Sequence, residues 1–175
     1  MQPDSDPTSP DNSPLANQRL RATAYHEAGH AVMAMIAGRP VQKLTIAPGN
    51  LQTGGIRLGA CEMKKGKAKA SNDWLEDSVL ILLAGMVAEA HFTGEYCQRG
   101  ATQDLLAVRQ LLNQRAGNAR QLERLQRRLL DKTEHLLADE SISQAVERIV
   151  EELLLKTTIS GRAVQHFYDQ ATQDT

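Results

Sequence analysis

A chain of 175 residues, 41% of them hydrophobic, fits one domain with a core of useful size, and its formal net charge of -1 argues against a dedicated nucleic-acid binder or a protein held to anionic membranes. The longest apolar run, Val79 to Ala88, is far too short to span a bilayer. Cys61 and Cys97 make neither a disulfide scaffold nor a C-x-x-C pair, so a reducing cytoplasm is the expected setting.

The first 18 residues hold four prolines and three aspartates, with no basic residue before Arg19 and no apolar stretch. They read as a disordered acidic tail over residues 1–18, not as a targeting signal. One domain is expected over 19–170 and a short tail over 171–175. From Leu20, apolar residues recur at Ala24, Ala28, Ala31, Val32, Met35 and Ile36, which is helical spacing, and Gly38 and Pro40 stop the helix. On it stands His26-Glu27-Ala28-Gly29-His30. Residues four apart share a helix face, so His26 and His30 can aim two imidazoles at one point, which is half of a zinc site. Glu27, beside the metal and not on it, would serve as general base. Gly29 inside a helix costs about 1 kcal/mol relative to Ala, which predicts a close approach to the backbone there.

Val41, Leu44 and Ile46 predict a short strand ending at Pro48-Gly49, and Gly54 to Ala60 a second, together a small hairpin or edge sheet. Such an edge can hold an extended peptide across a metal. Lysines 64, 65, 67 and 69 around Gly66 read as a solvated loop. A phosphate-binding loop fails because Cys61 and Ala68 stand where Gly and Ser or Thr are needed. Beyond Asp73 the pattern is helical almost to the end. Asp73 with Glu76 opens a helix to about Phe92, Thr102 one to about Gln114, Asn118 one to about Ala138, Ser141 with Gln144 a fourth, and Ser160 a short last one. Arg120, Arg124, Arg127 and Arg128 read as a solvated basic face. The fold class is mainly α with a small β element.

A third metal ligand is needed. A metzincin would require Gly at 33 and His at 36, where Met33 and Ile36 stand. His91, His135 and His166 lie far off in separate helices. Carboxylates are better candidates: Glu89, costly on a very apolar helix unless partnered, and Asp104, at a turn opening a helix.

Four segments in order, Ala24-Tyr25-His26-Glu27-Ala28-Gly29-His30-Ala31, Val41 to Pro48, Leu83-Ala84-Gly85 with Ala88-Glu89, and Gly100-Ala101-Thr102-Gln103-Asp104-Leu105, resemble the peptidase domain of the FtsH family of zinc proteases, the M41 peptidases. The resemblance covers about residues 19 to 168. It implies a helical FtsH-peptidase-like zincin fold, Zn2+ as cofactor, His26, His30 and Asp104 as its ligands, Glu27 as general base, and peptide-bond hydrolysis. Glu89 becomes a residue that orients a ligand histidine. Family members usually carry an AAA+ ATPase and membrane helices, and neither is read in these residues. The expectation is therefore a zinc endopeptidase acting on peptides or unfolded proteins, with an AAA+ ATPase in trans as a possible partner and a homo-oligomer, hexameric by family analogy. A non-catalytic zinc-binding scaffold is the alternative, and a zinc amidase or deacetylase for small molecules a third reading.

Overall fold

The computed structural model describes residues 13–50, 56–64 and 73–173. In chain order these form α1 (Pro14–Ile36), β1 (Val41–Thr45), β2 (Gly49–Asn50), β3 (Ile56–Arg57), β4 (Ala60–Met63), α2 (Trp74–Thr93), α3 (Thr102–Leu112), α4 (Ala119–Leu137), α5 (Glu140–Lys156), β5 (Thr158–Ser160) and α6 (Gly161–Gln173). The fold is mainly α with a small sheet, as the sequence predicts. No described helix is long and apolar enough to cross a membrane.

The first helix begins earlier than expected. Ser13 caps it, its side chain accepting from the Ala16 amide at 3.2 Å, and proline occupies the first turn, where its missing N–H costs nothing. Residues 14–18 are thus helical, not tail, whereas 1–12 lie outside the described residues. At the other end α6 reaches Gln173 and buries Ala171, so 171–173 are helical as well. Lys65, Lys67 and Lys69 of the expected loop also lie outside the described residues.

Every residue of α1 from Ala24 to Ala34 is buried. The helix is interior, packed most extensively on α2 and also against α5, the sheet and α6. Its crossing with α2 is close because the residues there are small: a Cβ on Gly29 would meet the Ala84 carbonyl oxygen and stand 2.6 Å from Ala88 Cβ. That is the approach predicted from the cost of a helical glycine.

β1 is the middle strand of an antiparallel sheet ordered β4-β1-β5. It pairs Leu44 with Cys61 and Thr45 with Ala60 on one side, and Leu44 with Ile159 and Thr45 with Thr158 on the other. β2 and β3 make a separate hairpin, Gly49 opposite Arg57 and Asn50 opposite Ile56. The second strand expected over 54–60 is therefore divided between β3 and β4, Gly54 lying outside the described residues. Among the described residues the outer edge of β4 is unpaired.

Asp73 and Asn118 cap α2 and α4 as predicted, accepting from Glu76 N at 2.9 Å and Gln121 N at 3.0 Å. Two other caps differ. Thr102 is the first residue of α3, not its cap, and its hydroxyl donates back to the Gln98 and Arg99 carbonyls at 3.1 and 2.9 Å. Asp139, not Ser141, caps α5, its carboxylate accepting from the Ser141 and Ile142 amides at 3.0 and 3.2 Å. Carboxylates outcompete hydroxyls at such positions because they also carry charge that suits the positive end of the helix.

Asp73 additionally takes two hydrogen bonds from Arg115 of the α3–α4 connection, both 2.6 Å, which hold its carboxyl at about 2, below the usual carboxylate range. Because the folded value lies below the unfolded one, this stabilisation is present above about pH 4 and is lost as pH falls toward 2. Asp73→Asn keeps a capping side chain but not the ion pair. Its urea midpoint should therefore fall less steeply than the parent's between pH 4 and 2, by a small amount that salt diminishes, since the pair is solvated. Parallel acid limbs in the two proteins would dismiss the pair's contribution.

Candidate metal centre

α1 supplies two histidines one turn apart, and the first turn of α3 supplies a carboxylate. His26 Nε2 stands 3.1 Å and His30 Nε2 3.3 Å from the same Asp104 Oδ2. Among the described residues, His26, His30 and Asp104 form the one group of three whose possible ligand atoms all fall within 4.8 Å of one another. His91 pairs instead with Glu134 at 3.0 Å, and neither His135 nor His166 joins the group.

The other ring nitrogens fix which way the imidazoles serve. His30 Nδ1 lies 2.7 Å from the Ile81 carbonyl oxygen, which only accepts, so Nδ1 carries a proton and Nε2 keeps the lone pair when the ring is neutral. His26 Nδ1 is held by Glu89 Oε2 at 3.0 Å with the same consequence. Glu89 touches neither of the two Nε2 atoms and stands behind His26 as an orienting partner. Burial disfavours the His26 imidazolium, but its hydrogen bonds to Asp104 and Glu89 outweigh this and push it up to about 10. Asp104 is pushed up by burial, yet its bonds to both histidines hold it well below the usual carboxylate range. A metal would replace the shared proton, since imidazole must be neutral to ligate.

Glu27 is buried next to this group without belonging to it, 7% exposed. Burial raises its pKa above the ordinary value, against the pull of His30 and His26. A carboxyl tuned upward exchanges protons nearer neutrality. These groups line a cleft of about 990 Å³ whose walls include Gly59 to Cys61, Trp74, Ile81 and Leu82.

The donor set fits zinc: two imidazole nitrogens and one carboxylate oxygen, with space left for a fourth ligand. Two glycines keep that space open. A Cβ on Gly85 of α2 would come 2.5 Å from His30 Nε2 and 2.7 Å from His26 Nε2, and one on Gly59 2.7 Å from Glu27 Oε1. Sequence reasoning missed both. Gly85 carried a usable signal, a helix-weakening glycine inside an apolar helix, the same argument that singled out Gly29. The Ile81 carbonyl had none, because every residue has one.

Cys61 lines the cleft and burial pushes its thiol up, so it is a poor nucleophile. Both cysteines are unpaired.

The model of peptidase family M41 matches residues 14–119. The chain is 40% identical over 95 residues to an ATP-dependent zinc metalloprotease FtsH of Protochlamydia amoebophila, covering 52% of this chain and 10% of that protein. It is 36% identical over 107 residues to one of Marinobacter nauticus, covering 59% and 16%. A chloroplastic ATP-dependent zinc metalloprotease FTSH of Medicago sativa is 31% identical over 106 residues, covering 59% and 15%. The match thus spans a small part of each relative, from 10% to 16% of its length. A family match over more than half of the chain, falling on both histidines, the glutamate between them and Asp104, places the protein in peptidase family M41.

Proposed function

We propose that this chain is a zinc-dependent endopeptidase that hydrolyses peptide bonds in peptides or unfolded protein segments. What supports the reading above all is the convergence of His26 Nε2, His30 Nε2 and Asp104 Oδ2 next to a buried glutamate that belongs to none of their contacts. His26, His30 and Asp104 would hold the ion. Zinc there supplies Lewis acidity, polarising a carbonyl and lowering the pKa of water from about 15.7 to roughly 7.

The chain's own groups do the rest. Glu27 takes a proton from the attacking water and returns it to the departing amine. Glu89 and the Ile81 carbonyl hold the two imidazoles in the required tautomer. The outer edge of β4, unpaired among the described residues, belongs to a strand whose Ala60, Cys61 and Met63 line the cleft, where it can accept an extended substrate as an added strand. A folded domain cannot present such a strand, which is why peptides and unfolded segments are the proposed substrates. A scaffold would need no carboxylate at position 27, and a buried one is a cost without a catalytic return.

The hydrolytic step needs only groups in this cleft, so an unfolded segment that diffuses in requires no ATP. ATP, through an AAA+ ATPase, bears on the delivery of folded substrates, and co-purification tests that partnership; a sizing measurement tests the proposed homo-oligomer. The direct experiment is cleavage of an unfolded protein by the zinc-loaded chain without ATP. No cleavage at full zinc occupancy would sink the endopeptidase reading.

The ligand roles separate by mutation. Asp104→Ala should lose zinc and activity together. Glu89→Gln should keep the site but weaken zinc binding or activity by about 10- to 100-fold. Zinc content by elemental analysis with chelator competition distinguishes them, and full occupancy in Asp104→Ala would remove it from the ligand set.

A further inference from the structure

The cleft carries four arginines from four different segments: Arg19 on α1, Arg39 after it, Arg57 on β3 and Arg99 before α3. Its acids are Glu27, Glu89 and Asp104. Two of these are bound to the histidines, and Glu27 is buried. Arg39 is engaged, its guanidinium 5.4 Å from the Trp74 ring centroid. Arg19, Arg57 and Arg99 are exposed and make no ion pair among the described residues. Ion pairs between elements do form elsewhere, Arg115 with Asp73, and Arg128 and Lys132 with Glu76, while other exposed arginines such as Arg120, Arg124 and Arg127 make none among the described residues. The cleft itself thus holds more cationic than free anionic side chains, in a chain whose formal net charge is -1.

Two of these arginines can be tied to groups of the site. Arg57 acts electrostatically on Glu27 and lies two residues before the glycine that packs on it. Arg99 adjoins Gly100, whose Cβ would stand 3.7 Å from Glu89 Oε2. Partly desolvated walls strengthen such charges relative to open surface.

We infer that the cleft selects peptide segments carrying Asp or Glu beside the scissile bond, with Arg57 and Arg99 as the side chains that read them. The inference rests on the peptidase reading. Carboxylate is the chemistry recognised, and guanidinium binds it in two-point fashion.

The test uses C-terminally amidated peptides, so that only side-chain carboxylates are read, with one apolar core flanked by Glu, Gln or Lys. With the zinc-loaded full chain at low salt, kcat/KM for the Glu peptide should exceed that for the Gln peptide about tenfold, as two partly solvated ion pairs would give. The margin should shrink as salt rises. The Arg57→Gln/Arg99→Gln double variant should bring the ratio close to one, and the double Lys variant should retain most of it. Using the ratio cancels any effect of Arg57 on Glu27 itself. Arg124→Gln, on the exposed face of α4, should leave the margin unchanged.

Peptide binding to zinc-loaded Glu27→Gln protein, read by fluorescence anisotropy, should show the same order without turnover. Selective binding with no cleavage by the parent would uphold the inference and overturn the peptidase reading. Cleavage without an acidic margin, or a margin surviving in the double Gln variant, would overturn the inference alone.

Discussion

Cleavage of an unfolded substrate by Glu27→Gln is expected to fall by about 10²- to 10⁴-fold, the range that positioned proton transfer supplies, with zinc content unchanged. Glutamine has the shape of glutamate and fits the same place against Gly59, but it cannot accept and return a proton. The atoms that would hold the metal are those of His26, His30 and Asp104, so zinc content should not change. Burial already holds the Glu27 carboxyl above its ordinary pKa, so its charged form is the costly one and the neutral amide should melt no lower than the parent. The parent's activity should be lost on the acid side, where Glu27 takes up a proton that a base must not already carry. Turnover within tenfold of the parent at full zinc occupancy would remove Glu27 from its role.

Gly85→Ala is expected to weaken zinc binding by at least the about 10- to 100-fold that removing an orienting partner costs, while the helix persists. On propensity alone the substitution favours α2 by about 1 kcal/mol. The added methyl, however, would come 2.5 Å from His30 Nε2 and 2.7 Å from His26 Nε2, where the lone pairs converge. Either the rings turn away or α2 retreats, and Gly29 against Ala84 and Ala88 leaves the crossing little room. Chelator competition measures the affinity, and far-ultraviolet circular dichroism checks the helix. Parent-like zinc affinity would mean that Gly85 does not shape the site.

What can be read from the residues follows the physics of each signal. A long helix with apolar residues at three- and four-residue spacing announces itself, so α1 and the shared face of its two histidines are legible from periodicity alone. The third candidate ligand is a different matter. Asp104 lies 78 residues from His26, and spacing leaves Glu89 equally open. The fold separates the two by which imidazole nitrogen each meets, Nε2 for Asp104 and Nδ1 for Glu89. β5 is three residues, Thr158-Ile159-Ser160, too short for a two-residue period to show. Caps are legible where an Asp or Asn stands alone and misleading where a hydroxyl stands near a better acceptor, as at Ser141 beside Asp139.

The pairing of β5 with β1 also bears on biosynthesis. The middle strand meets one neighbour some twenty residues downstream and the other more than a hundred, Leu44 facing both Cys61 and Ile159. Contacts so distant in sequence form late, after the intervening chain has been ordered. On a ribosome, which releases the chain from its N-terminal end, β1 waits for residues near the C-terminus before its second edge is covered. The sheet beside the cleft is therefore complete only when almost all of these residues have emerged, so an unfinished chain carries the helix of His26 and His30 without a finished groove to hold a nascent neighbour.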